Sequence, residues 1–202
     1  MAEAIEASYL ALLDELNAHF ANHDYLFGTR PSIGDFGLIG PLYAHLYRDP
    51  ASGDLMKSHA PNVARWVERM QSPSNPRSGE FLGDDEIPET LLPVLKRMAS
   101  EHLPCLLDLC ERLSTFKNEN ADAQIPRAIG MHAFTIEGRT GQRLVFPYTQ
   151  WMLQRALDHL HCLNHDERIE ADRLLRGIGM DALIDLQPGA KVKRENYKLV
   201  WA

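Results

Sequence analysis

Apolar residues recur at steps of three and four from Glu3 to Asn22, at Ile5, Tyr9, Leu12, Leu16 and Phe20, the spacing of one face of an α-helix. Leu10 and Leu13 widen that stripe, so the helix is expected to be buried on more than one side. A loop from His23 to Pro31 precedes a second helix, Ile33 to about Arg48, whose apolar positions are Phe36, Ile39, Leu42, Tyr43 and Leu46. Its glycines Gly34, Gly37 and Gly40 each cost about 1 kcal/mol relative to Ala, which predicts close backbone approach to a neighbouring helix. After Asp49-Pro50 the pattern predicts a polar connection, then a short helix opened by Pro61 and carrying Val63, Trp66, Val67 and Met70. The stretch Gln71–Pro88, with Pro73, Pro76, Gly79, Gly83 and Pro88, has the composition of a mobile surface loop.

The longest helical pattern runs from about Glu89 to Phe116, with Pro104 expected to kink or divide it. The period then changes. His132–Ile136 and Arg143–Phe146 flank the glycine-rich stretch Glu137–Gln142, which predicts a β-hairpin, the one clear strand pair. Helices are expected again over Tyr148–Leu163 and over Asp166–Arg176, the latter ending at Gly177. The tail from Met180 predicts short helix or extended chain, and its Tyr197, Leu199, Val200 and Trp201 are apolar enough that it should pack.

Composition narrows the classes. The 202 residues carry 21 Lys and Arg against 28 Asp and Glu, a formal charge of −7, and 45% are hydrophobic. That is enough chain for a folded core of one domain or slightly more. The negative balance argues against nucleic acid and against an anionic membrane surface as partners. No apolar run is long enough to span a bilayer, and the first ten residues lack a signal-peptide pattern. The expected location is cytoplasmic. Cys105, Cys110 and Cys162 fit reduced thiols better than a disulfide framework.

Four constellations carry candidate chemistry. Ser32 and Asp35 read as a capping box, a structural rather than catalytic pair, whose loss should cost about 0.5–2 kcal/mol. Asp158, His159, His161, Cys162 and His165 are metal-ligand types, but His159 and His161 lie on different helix faces, so no metal is expected and Cys162 is expected to be buried. Cys105 and Cys110, five apart, point in different directions on a helix and read as buried thiols. Arg127, Arg139, Arg143 and Arg155 gather near Tyr148 and Trp151. Of these, Arg143, Tyr148, Trp151 and Arg155 are the candidate ligand-binding residues, forks for a carboxylate and rings for an apolar body. The alternative leaves Trp151 in the core and the arginines solvated or paired with Glu137 and Asp158.

The run Tyr25-Leu26-Phe27-Gly28 through Ser32-Ile33-Gly34-Asp35-Phe36 resembles the hallmark of the C-terminal helical domain of cytosolic glutathione transferases, with Gly34 where the family usually has alanine. The likeness continues through Pro61–Val67 and covers about Ala7–Met70. A weaker likeness to an extended bacterial branch lies in Pro147-Tyr148 through Trp151-Met152 to Gln154-Arg155. It implies a mainly α fold, a transferase-type helical bundle over residues 1–128, with the hairpin and a helical extension over 129–202 packed on it as one structural unit. In that family glutathione is held by a preceding thioredoxin-like domain of about 80 residues, for which this sequence shows no pattern. The expectation is therefore a homodimeric binder of a hydrophobic or aromatic-acid ligand without a complete glutathione site, dimerising through the Tyr9, Leu12, Leu16, Phe20 face. The alternative is a fragment or subunit of an active transferase. Glutathione would bind only with a thioredoxin-like partner domain, and no other cofactor is implied.

Overall fold

A computed structural model describes residues 1–72 and 79–202. The fold is mainly helical with two small antiparallel hairpins, and it divides into two compact units: Ala2–Leu95, and Lys96–Ala202 together with Met1. The boundary expected at 128/129 falls inside the second unit, where the helix before it packs on the hairpin and helix after it.

In the first unit α1 (Ala2–His19), α2 (Ile33–Pro41), α3 (Pro50–His59) and α4 (Pro61–Gln71) enclose a core of Leu13, Leu16, Phe20, Tyr25, Leu42, Met56, Val63, Trp66, Val67 and Leu91. Trp66 is fully buried and its indole stacks on Phe20, with centroids 4.9 Å apart. The C-terminal half of the α1 stripe is thus covered from within the unit, while Ile5 is 53% exposed. Leu16 is fully buried and Phe20 is 7% exposed, while Tyr9 and Leu12 lie half-buried on the same core. Leu16 and Phe20 therefore have no surface to offer a second copy, which corrects the expectation that the Tyr9, Leu12, Leu16, Phe20 face as a whole meets a partner.

α3 replaces the expected polar connection. Pro50 starts it at N1, and one buried side chain, Met56, anchors an otherwise polar decapeptide, too sparse a signal for a periodic pattern. Pro41 ends α2, since its ring cannot donate to the carbonyl four residues back, and the chain widens into a π-turn over Leu42–Tyr47. The glycines behave unequally. A Cβ at Gly34 would stand 3.0 Å from the Leu26 side chain, but one at Gly37 or Gly40 would meet nothing within 4 Å, so among the described residues no helix presses on them. Gly28 is required by its backbone: φ is +129° and a Cβ would lie 2.6 Å from the Glu80 carbonyl oxygen, where the two segments pair. Of the loop expected over Gln71–Pro88, residues 73–78 lie outside the described residues.

The long helical pattern resolves into α5 (Leu92–Arg97), a π-turn over Met98–His102 and α6 (Leu103–Glu119), the division falling where Pro104 lacks a donor. In the second unit β1 (Met131–Ile136) and β2 (Arg139–Leu144) form the expected hairpin, but with a two-residue turn, Glu137-Gly138, rather than a loop reaching Gln142. Both turn residues have positive φ, the geometry that matches strand twist. α7 (Pro147–Cys162) and α8 (His165–Ile178) follow, and α8 runs through Gly177 to stop at Gly179, left-handed at φ 81°.

The tail forms a second hairpin, β3 (Val192–Glu195) and β4 (Lys198–Trp201), around Asn196-Tyr197 at φ 46° and 64°. Its strands are too charged to alternate. What holds it is α7: Gln150 and Gln154 are buried one turn apart, Gln150 Nε2 donates to the Ala190 carbonyl, and Gln154 both accepts from Val192 N–H and donates to the Val192 carbonyl. Among the described residues no helix is long and apolar enough to cross a membrane.

Candidate ligand groove

The second unit carries an open groove of about 920 Å³, of the size that takes a small organic ligand. The segment Asp122–Arg127 forms one wall, the start of α7 another, and the β3–β4 hairpin a third. Four aromatic side chains line it: Phe146, Tyr148, Tyr197 and Trp201. Trp201 is held in place because its indole N–H donates to the Ala123 carbonyl at 3.0 Å, while Lys117 lies 5.2 Å from its ring centroid. Arg127 and Lys198 supply positive charge within the lining, with Asp122 the one acidic group there.

The α7 N-terminus adds to this. Phe146, Tyr148 and Thr149 of its first turn all line the groove, and no side chain caps the helix. Pro147 has no N–H and the Thr149 N–H donates to the Phe146 carbonyl, so what this end offers an anion is the Tyr148 N–H and the positive end of the helix dipole.

The four residues singled out from sequence separate in space. Tyr148 lines the groove. Trp151 is half-buried beside it, with ring centroids 5.2 Å apart, and Arg155 lies over Trp151 at 5.3 Å. Arg143 instead lines a cavity of about 10 Å³ with His102, Cys105 and His132, room for about one water. There burial, then the Arg143 charge, holds His102 below the usual histidine range, and burial pushes the Cys105 thiol up. His132, 5% exposed, bonds Asp108 at 2.9 Å; burial raises the Asp108 carboxyl, but its bonds to Arg112 and His132 outweigh this and bring it below the usual range. Glu137 pairs with Arg97 rather than with Arg139 or Arg143.

The remaining candidates have local explanations. Asp35 is fully buried and accepts from Ser32 N–H and Oγ, from Leu26 N–H and from the Trp66 indole N–H. The capping box is thus also a tie between α2, α4 and the loop before α2. Cys105 and Cys110 are buried, whereas Cys162 is exposed, contrary to expectation, because it sits on the outer face of the last turn of α7. Among the described residues no three His, Cys, Asp or Glu side chains gather as metal ligands, and His161 instead meets Gln187 at 3.3 Å. Sequence reasoning missed Trp201, Tyr197 and Lys198 as groove residues; the apolar tail was the one signal of them.

Residues 2–69 match the family model described as Glutathione S-transferase, C-terminal domain. Comparison with curated proteins and with solved structures gives no match.

Proposed function

Residues 2–69 belong to the glutathione S-transferase C-terminal domain family, and from that premise we propose that the protein binds a hydrophobic or aromatic-acid ligand in the groove of its second unit. The carrying observation is the lining: four aromatic rings for a flat apolar body, with Arg127, Lys198 and the uncapped start of α7 for an acid group. Tyr148, Tyr197 and Trp201 supply the stacking surfaces, and Arg127 and Lys198 the charge. Glutathione chemistry in this reading requires a thioredoxin-like partner domain, as the family resemblance implies. Cytoplasmic location and homodimerisation belong to the same proposal.

Calorimetry with 2-naphthoate and with the uncharged 2-naphthalenemethanol tests it. The acid is expected to bind more tightly than the alcohol, and Tyr148→Ala to weaken the acid about fivefold, the size of one lost aromatic contact of about 1 kcal/mol. Absence of binding by either compound overturns the groove reading. Glutathione binding and conjugation by this chain alone would favour the alternative, an active transferase with its thiol site on these residues.

A further inference from the structure

Beside the groove, Arg155 and Arg194 both hold a guanidinium over the Trp151 ring, 5.3 and 5.7 Å from its centroid. Among the described residues neither has a carboxylate at ion-pair distance; Glu195, next to Arg194, is taken by Lys193 at 2.8 Å. Two cations sharing one half-buried ring repel each other, and the ring's attraction for each offsets only part of that. An anion between two guanidinium forks removes the repulsion and gains charge-assisted hydrogen bonds.

A line of rings joins this cluster to the groove. Trp151 lies 5.2 Å from Tyr148, Arg194 lies 5.8 Å from Tyr197, and both tyrosines line the groove. Tyr197 is 92% exposed in a left-handed turn position that favours glycine.

Resting on the groove reading above, we infer that the ligand is an aromatic dianion: one acid group at Arg127 and Lys198, the flat body against Tyr148 and Tyr197, and the second acid group at Arg155 and Arg194. The test compares naphthalene-2,6-dicarboxylate with 2-naphthoate on the full chain by calorimetry at low salt. The dicarboxylate is expected to bind at least tenfold more tightly, and Arg155→Gln with Arg194→Gln to bring that ratio to about one, near-ultraviolet circular dichroism reporting an intact fold. Equal binding of the two acids by the wild type overturns the second anion position and leaves the groove reading standing. A preference that survives the double substitution also overturns it. If neither acid binds, the groove reading falls and this inference with it.

Discussion

At the scale of single residues, burial decides which reactive groups are available. Cys110 is pushed up to about 11 by burial, with the Glu111 charge adding to it, and Cys105 is also raised, whereas Cys162 is exposed. Thiolate is the reactive form. Titration with a chromogenic disulfide is therefore expected to show one fast thiol per native chain, none in Cys162→Ser, and three in urea. His19 has no exposed surface; its ring meets Thr90 Oγ1 at 2.9 Å and the Tyr25 carbonyl at 3.3 Å. Burial lowers its pKa, with the stacked His23 adding to that, and these outweigh the opposing backbone bond and the Asp35 charge. The folded form thus binds fewer protons than the unfolded one below about pH 6.5, so the stability from neutral His19 is present above that pH and is lost as pH falls through the interval down to the lowered folded value. Urea midpoints at about pH 7.5 and 5.5 are expected to fall with acid in the wild type and to fall less in His19→Gln, with His102 leaving a residual slope in both. Burial of Cys105 and Cys110 was legible from their leucine-rich helix, whereas the exposure of Cys162 was not, because which face of α7 is covered is decided by packing.

At the scale of elements, the Ser32–Asp35 pair was legible as a helix start, since capping is local chemistry over four residues. Its weight was not. The Trp66 and Leu26 donors come from segments 31 and 9 residues away and end on the same carboxylate. Ser32→Ala is expected to cost about 0.5–2 kcal/mol, as a lost cap does. Asp35→Ala is expected to cost about 3 kcal/mol or more, because it leaves several buried donors without a partner. Urea unfolding measures both, and equal losses in the two variants would contradict the shared-carboxylate account. The hairpins show the same division. Glu137-Gly138 announces β1–β2, but β3–β4 depends on buried amides of α7 reaching across 38 to 40 residues.

At the scale of the whole molecule, the proposed homodimer has a second candidate surface besides the exposed part of the α1 stripe. On α2 Ile33 is 86% exposed and Phe36 63%, and Gly37 and Gly40 share that face with open space around them. Exposed glycines within a helix cost about 1 kcal/mol each relative to Ala, and they let a second helix approach closely. Phe36→Glu is expected to shift the mass from dimer to monomer by light scattering with helix content unchanged, whereas a monomeric wild type removes the dimer from the proposal. The sequence by itself determined that the chain is mainly helical and where most helices start, because periodicity, capping and proline act within a few residues, and it carries the match of residues 2–69 to the glutathione S-transferase C-terminal domain model. Tertiary structure alone decided that Leu13, Leu16 and Phe20 are covered from inside, that Arg143 parts company with Tyr148, and that Trp201, Lys198 and Tyr197 meet Arg127 in one groove. These outcomes join residues up to about 75 positions apart along the chain, and they follow from which buried donors and apolar faces find partners, a competition that no local pattern records.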